Sequence, residues 1–253
     1  MNNSMENTVE YFHIGLADKA VEIECLSRQV FYMCKDYLTK FDEPDILIEQ
    51  CTRAEIEYER KQAAVTSLKE HSMYMKFSDA YLETLAVYRK ICDALIDYDT
   101  ILIHSAAVAV GDKCWLFLAP SGTGKTTHIR NWLSEIEGAF VVNGDKPLVN
   151  VAKKVVYGTP WCGKEGMNTN TTVPLAGLVI LERGEENTIE SIPFSDAVPS
   201  LLRQVYRPDD GAAMAKVLEH IDALKDVPTY RLRCNMDKES ALVAYNYLSK
   251  GQA

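Results

Sequence analysis

One short stretch restricts the fold of this chain more than any other: residues 118–133, which read LAPSGTGKTTHIRNWL. β-forming residues lead into it, two glycines lie inside it, and residues with helical spacing follow. A strand that runs into a glycine-rich turn and then into a helix brings the backbone N–H groups of the helix N-terminus to that turn. This order of elements predicts an anion-binding site.

Residues 119–126, APSGTGKT, match the phosphate-binding loop of nucleotide-binding proteins (the P-loop), except that Ala119 stands in place of the first glycine. Gly122 and Gly124 give the backbone access to positive φ and let it approach a phosphate without a Cβ in the way. The amides of residues 122–126 then point inward at the anion, with the helix dipole behind them. Ala119 is compatible with this geometry, because the first position shapes the turn and does not contact phosphate.

Two side chains of the P-loop have predicted roles in nucleotide chemistry. Lys125 is expected to reach the β- and γ-phosphates, and the hydroxyl of Thr126 is expected to bind Mg²⁺. The expected ligands are therefore ATP and Mg²⁺, although the motif does not distinguish ATP from GTP. The residues predicted to bind the nucleotide are Ser121, Gly122, Thr123, Gly124, Lys125, Thr126, Thr127 and, from a later loop, Lys164.

Hairpins flank the P-loop on both sides. Residues 101–110 and 114–119 are β-like and joined by GDK, and residues 147–151 and 155–158 have the pattern of a second hairpin. A doubly wound nucleotide-binding sheet would instead alternate strand and helix throughout. We therefore predict an α/β fold with a mixed, largely antiparallel sheet. The other elements predicted from periodicity are strands at 139–143, 174–182, 188–192 and 229–235, and helices at 126–138, 195–206, 210–225 and 238–251.

The GDK connection also predicts the partner of the P-loop strand. A parallel partner needs a crossover of about a dozen residues or more, so residues 101–110 are expected to pair antiparallel with that strand. Residues 111–113 should then form a tight exposed turn. His104 should lie on a strand beside the P-loop strand, near the end where phosphate binds.

Residues 1–98 are predicted to form a small α+β module, and residues 99–253 the P-loop domain. The module carries no chemical motif. Its predicted strands are 9–17, 20–25 and 45–49, and its predicted helices are 53–64 and 79–97.

Asp145, in FVVNGDKPL, is the carboxylate best placed to serve the P-loop. It ends the strand after the P-loop helix, 20 residues beyond Lys125, and that strand is expected to return beside the P-loop strand. Asp145 could then bind Mg²⁺ together with Thr126, act as a catalytic residue that accepts a proton, or do both. The alternative is an exposed turn acid, since NGDK is a common turn composition.

The loop at residues 158–170, GTPWCGKEGMNTN, combines glycine, proline, tryptophan, lysine and asparagine without periodicity. Loops of this length usually serve a site. Lys164 could meet phosphate charge, and Trp161 could stack on a substrate or base. A surface lysine beside a packed tryptophan is the alternative.

Composition narrows the classes of partner. The formal charge of −9 does not favour a nucleic-acid partner, and no apolar run approaches the length of a membrane span. The seven cysteines form no C-x-x-C pair, and the N-terminal residues show no basic region followed by an apolar core. We therefore expect reduced thiols and a cytoplasmic location. The sequence leaves the oligomeric state open, with a homo-oligomer among the options.

Three segments together resemble the HPr kinase/phosphorylase and phosphoenolpyruvate carboxykinase superfamily, and most closely its small HPr-kinase-like proteins, some of which are linked to peptide modification. These segments are HSAAVAVGDKCWLFLAPSGTGKTTH (104–128), VVNGDKPL (141–148) and YGTPWCGK (157–164). The similarity covers roughly residues 100–235. The P-loop is its most specific part, and the hairpin that leads into it separates this group from other P-loop proteins.

The resemblance implies roles for three residues. A histidine of the first strand lies near the γ-phosphate in the family, which makes His104 a candidate catalytic residue. The family usually has paired acids, Asp-Asp, after the P-loop, whereas this chain has N-G-D-K. Asp145 would match either member of that pair, and Asn143 would take part of the metal-binding role.

The leading functional hypothesis is an ATP-dependent kinase that transfers the γ-phosphate to a hydroxyl group of a protein, peptide or small molecule. Two alternatives stay open. Carboxykinase chemistry is less favoured, because such enzymes are much longer and need a second metal site that this sequence does not reveal. The other alternative is a non-catalytic or regulatory NTP-binding module. It stays open because the sequence departs from the P-loop pattern at Ala119 and from the family's paired acids in N-G-D-K.

Overall fold

The computed structural model of the chain describes residues 10–69 and 76–250. The chain divides into two compact units, Met1–Ala94 and Leu95–Ala253. Across the described residues, no helix is both long and apolar enough to cross a membrane.

The first unit contains a small three-stranded sheet in the order β1-β2-β3. β1 and β2 pair antiparallel, and β2 and β3 pair parallel. The strands predicted from alternation are confirmed, because the side chains of β1 alternate between the core and the other face of the sheet. Its elements are β1 (Glu10–Leu16), β2 (Lys19–Cys25), α1 (Arg28–Met33), β3 (Ile46–Ile48), α2 (Arg53–Lys69) and α3 (Asp79–Leu95).

The second unit contains a nine-stranded mixed sheet. Its elements are β4 (Thr100–Leu102), β5 (Ala106–Val110), β6 (Lys113–Leu118), α4 (Lys125–Glu135), β7 (Ala139–Asn143), β8 (Leu148–Asn150), β9 (Val155–Tyr157), β10 (Thr172–Arg183), β11 (Thr188–Ser191), α5 (Phe194–Gln204), α6 (Gly211–Asp222), β12 (Thr229–Cys234) and α7 (Glu239–Lys250).

The strand order in this sheet is β4-β8-β9-β10-β6-β5-β7, and β12 joins both β10 and β11. β10 pairs parallel with β6 and with β12. The other pairings between the strands of this sheet are antiparallel. The prediction of a mixed, largely antiparallel sheet is therefore confirmed.

β6 is covered on both faces, which explains its nearly continuous apolar sequence. Cys114, Leu116 and Leu118 belong to an apolar cluster that includes residues of α5 and α6. Trp115 and Phe117 belong to a second cluster that includes residues of α4 and α7. Helices thus lie on both sides of the strand that leads into the P-loop, and they hold its end in place.

The hairpin predicted before the P-loop is present. β5 pairs antiparallel with β6, with Val110 opposite Lys113 across the turn. However, residues 101–110 do not form one strand, and His104 does not lie on a strand. The chain leaves the sheet there because the N–H of His104 donates to Gln204 O at 2.8 Å and the N–H of Ser105 donates to Asp145 O at 3.2 Å. The preceding residues form β4, which pairs with β8 and not with β6.

Candidate nucleotide-binding site

The P-loop lies between the end of β6 and the start of α4. Gly122 has φ +76° and Gly124 has φ +126°, values that residues with a Cβ rarely adopt. Gly124 is the N-cap of α4 and supplies no side chain to cap the helix. The first hydrogen bond of α4 runs from the N–H of His128 to Gly124 O at 2.9 Å. The amides of the preceding residues therefore lie at the positive end of the helix, where an anion is stabilised.

The side chain of Lys125 folds back across the P-loop. Its Nζ donates to the carbonyl oxygens of Ala119 at 2.6 Å and Pro120 at 3.4 Å. The ammonium therefore lies against the backbone at the start of the loop. Of the other residues predicted to contact nucleotide, Ser121 and Gly122 are exposed, and the stretch 123–127 is half-buried.

Arg183 is a part of this site that the sequence did not reveal. β10 runs parallel to β6, with Ile180 opposite Leu118, so the end of β10 reaches the P-loop. Nε of Arg183 donates to Thr123 O at 3.2 Å, and Nη2 donates to Gly122 O at 2.6 Å. In the sequence, Arg183 has the pattern of an ordinary turn residue before GEEN, and only the strand register brings it to the loop.

Asp145 and His104 meet at the same edge of the sheet. Nε2 of His104 lies 2.9 Å from Oδ1 of Asp145. Burial opposes ionisation of Asp145. The hydrogen bond from His104 and the charges of His104, Lys146 and Lys125 outweigh that effect, so the pKa of Asp145 lies below its usual value. The Lys125 ammonium thus helps to keep this carboxylate ionised.

The strand before Asp145 does not lie beside the P-loop strand, contrary to expectation. β5 lies between β7 and β6, and it pairs antiparallel with both. β7 therefore runs in the same direction as β6. Because strands with the same direction end at the same edge of a sheet, Asp145 still reaches the P-loop side.

Asn143 stabilises the turn that carries Asp145. Its side chain is fully buried, and its Oδ1 accepts from the backbone N–H groups of Asp145 at 2.9 Å and Lys146 at 2.7 Å. Its Nδ2 donates to Oγ1 of Thr159 at 2.9 Å and to Trp161 O at 3.3 Å. Oδ1 is therefore engaged inside the turn, and Nδ2 joins the turn to the loop at residues 158–170.

The loop at residues 158–170 packs beside Asp145 and the P-loop helix. A Cβ placed on Gly163 would stand 3.0 Å from Cβ of Asp145, and Arg130 of α4 forms an ion pair with Glu165. Lys164 is exposed on this segment. Trp161 is 4% exposed, so it is a packed core residue and offers no free face for stacking.

Thr126 and Asp145 offer the oxygen donors that Mg²⁺ prefers. Mg²⁺ is usually held by one or two carboxylates together with substrate phosphates and water. Within residues 10–69 and 76–250, no group of three or more His, Cys, Asp and Glu side chains could hold a metal ion. The residues present therefore fit a Mg²⁺ that is shared with phosphate, and they do not form an all-protein metal site.

Comparison with known proteins does not identify a family. No protein-family model matches the sequence, and no curated protein matches it significantly. A functional assignment for this chain therefore depends on the residues and geometry of the site.

Proposed function

We propose that this chain is an ATP-dependent kinase that transfers the γ-phosphate of ATP to a hydroxyl group of a protein, peptide or small molecule. One observation carries the proposal. An ionised carboxylate, Asp145, is hydrogen-bonded to His104 and stabilised by the charge of Lys125, the lysine of the glycine-rich loop. This combination supplies both a phosphate-binding element and a group that can orient a hydroxyl.

The loop would bind the phosphates through backbone and ammonium groups. The amides at the start of α4 provide donors and the positive end of the helix dipole. Lys125 would exchange the carbonyl oxygens of Ala119 and Pro120 for phosphate oxygens. Phosphoryl transfer depends mainly on such positioning and charge neutralisation, since the transition state is loose and its charge spreads over the phosphoryl oxygens.

Mg²⁺, when bound, would neutralise the charge that develops on the phosphate oxygens. The Thr126 hydroxyl and the Asp145 carboxylate are the residues that would hold it. Asp145 would also orient the acceptor hydroxyl and accept its proton. His104 would keep one oxygen of Asp145 in a fixed direction, so that the carboxylate meets the acceptor in a single orientation.

The fold of the P-loop unit supports a relationship to the HPr kinase/phosphorylase and phosphoenolpyruvate carboxykinase superfamily. β5 forms a hairpin with β6 directly before the P-loop, as the resemblance implies. The loop from residue 158 to 170 lies beside Asp145 and would help select the acceptor.

A regulatory NTP-binding module without turnover is the second candidate. One observation favours it: this chain has one carboxylate where the family usually has two, and Asn143, the residue expected to take part of the metal-binding role, is fully buried with its Oδ1 accepting from the N–H of Asp145. Such a module would bind nucleotide through the same loop, so the two candidates differ in phosphate transfer and not in binding.

Two measurements test the proposal. Saturating Mg-ATP should raise the Tm by mass action on the native state, by the equivalent of about 2.7 kcal/mol at a hundredfold excess over Kd. Lys125→Ala should abolish most of that rise, whereas Lys225→Ala, which removes a 59% exposed lysine, should keep it. A Lys125→Ala protein with the full rise would contradict nucleotide binding at the P-loop.

For phosphate transfer, purified protein is incubated with γ-labelled ATP and cell extract split into protein and small-molecule fractions. Label should move to an acceptor in one fraction. Slow ATP turnover that neither fraction stimulates would favour the regulatory module.

A further inference from the structure

The P-loop has two flanks, because β6 has a different neighbour on each side. On one side lies β5 and beyond it β7, which lead to His104 and Asp145. On the other side lies β10 and beyond it β12, both parallel to β6. A phosphate chain held by the loop therefore has the acid on one flank and the ends of β10 and β12 on the other.

An open cleft of about 480 Å³ lies on the β10 flank, lined by residues 120–123 and 181–183. A smaller hollow shares Thr123, Leu181 and Glu182 with it and extends to Met236. The size of the cleft lies within the range of small-molecule sites, about 300–1,000 Å³.

Met236 is an exposed apolar side chain held against the P-loop. It is 58% exposed, and its Sδ lies 3.4 Å from where a Cβ on Gly124 would stand. Its backbone is anchored, because Asn131 Nδ2 donates to Met236 O at 3.2 Å and to Asp237 O at 3.0 Å. Because the thioether side chain is flexible and its backbone is fixed, Met236 is well suited to pack against the flat ring of a bound base.

Arg183 adds a cation and a backbone constraint on the same flank. It donates to the carbonyl oxygens of Gly122 and Thr123. In a trans peptide the N–H points opposite to the C=O. Arg183 therefore turns the amide of Gly124 away from itself and towards the other side of the loop, whereas the N–H of Thr123 donates within the loop to Pro120 O at 3.3 Å.

We infer that the nucleoside of the bound nucleotide lies on the β10 flank, over Met236 and beside Arg183, and that the phosphate chain runs from there towards Asp145. This inference rests on the proposed function, since it needs a nucleotide on the P-loop. The γ-phosphate has to face Asp145 and the acceptor. The nucleoside then leaves the loop in the opposite direction, and the cleft on the β10 flank receives it. Met236 is thus a nucleoside-binding residue, and Arg183 is a positioning residue for the loop.

The test compares a ligand with a nucleoside and a ligand without one. The Kd values of ATP and of inorganic tripolyphosphate, each with Mg²⁺, are measured by calorimetry for the protein and its variants. Met236→Ser should weaken ATP about five- to tenfold, since it removes apolar surface that the base would cover. The same variant should leave tripolyphosphate unchanged within about twofold, and Met236→Leu should restore ATP binding.

Matched variants separate this effect from general damage. Leu218→Ser changes another exposed apolar residue, 47% exposed, on α6, and both Kd values should stay at the wild-type level. Arg183→Ala should weaken both ligands, because the Gly124 amide loses its alignment, and Arg183→Lys should recover part of both affinities.

The inference is wrong if Met236→Ser leaves the ATP Kd unchanged or weakens both ligands equally, and in either case nucleotide binding at the P-loop still stands. If the wild-type protein binds neither ligand, the proposed function fails and the inference fails with it.

Discussion

Nε2 of His104 lies 2.9 Å from Oδ1 of Asp145, although 41 residues separate them in the chain. The two segments are joined a second time, through the N–H of Ser105 and the carbonyl oxygen of Asp145. His104 can reach the carboxylate because the backbone leaves the sheet between β4 and β5. The break at His104, within the segment predicted as one strand, thus allows the hydrogen bond between His104 and Asp145 on which the proposed chemistry depends.

Asp145→Asn keeps the size of the side chain and removes its charge and basicity. Under the kinase proposal, turnover should fall about 10²- to 10⁴-fold, whereas the Kd for nucleotide should change much less. Steady-state kinetics and calorimetry measure the two effects. Asp226→Asn, at a 74% exposed position, is the control. Equal turnover in wild type and Asp145→Asn would leave Asp145 as a turn residue only.

The pH profile gives a further check on Asp145. Its pKa lies below the ordinary 3.8, so the carboxylate stays ionised between about pH 5 and 8. A loss of activity caused by protonation of Asp145 should therefore appear only below about pH 4. An acidic limb near neutrality that disappears in Asp145→Asn would contradict this assignment.

Gly163 and Gly166 offer a matched pair in the loop beside the acid. Both have positive φ, +78° and +64°, so alanine at either position should lower the free energy of unfolding by about 1–2 kcal/mol. Only the Cβ at Gly163 would crowd Asp145, since nothing lies within 4 Å of the corresponding point at Gly166. Gly163→Ala should therefore lower kcat, and Gly166→Ala should not.

Urea unfolding and steady-state kinetics on both glycine variants separate strain from site damage. Equal loss of kcat in the two variants would mean that loop strain, and not contact with Asp145, controls activity.

Asn143→Ala should destabilise the protein, because it removes a buried side chain that bonds to the turn through Oδ1 and to the loop at residues 158–170 through Nδ2. Leaving such partners unsatisfied costs about 1–3 kcal/mol, and the loss should appear in the urea midpoint. Asn246→Ala, at an exposed position of α7, should change stability by less than about 0.5 kcal/mol. If the two variants were equally stable, the turn would not depend on Asn143.

His128 should make the protein acid-sensitive. Burial lowers its pKa from 6.5 to about 4, and its Nε2 accepts from Trp132 Nε1 at 2.9 Å. Between these pH values the unfolded chain binds the proton and the folded chain does not. Stability from this residue is therefore present above pH 6.5 and falls as the pH drops towards 4, by up to about 3 kcal/mol.

His128→Gln removes that titration and keeps an acceptor for Trp132. The stability difference between wild type and variant, measured by urea unfolding, should shrink as the pH falls from about 6.5 to 4. A difference that stays constant across this window would show that His128 does not titrate on unfolding.

The sequence alone determined the local features of this protein. Positive φ at Gly122 and Gly124 follows from residue type, and the β5–β6 pairing follows from a connection too short for a crossover. The helices and most strands follow from the spacing of apolar residues. Each of these features depends on a few neighbouring residues, so it can be predicted without knowing how the rest of the chain folds.

Only the tertiary structure decided which distant groups meet. β5 between β6 and β7, the break at His104, the burial of Trp161 and the reach of Arg183 to the P-loop depend on strand order and register. These arise from packing and from hydrogen bonds between segments far apart in the chain, such as those of His104 with Gln204 and Asp145. Residue spacing does not predict such pairings, because strands of similar composition could each pair with the same neighbouring strand. Core packing and backbone hydrogen bonds then determine which pairing forms.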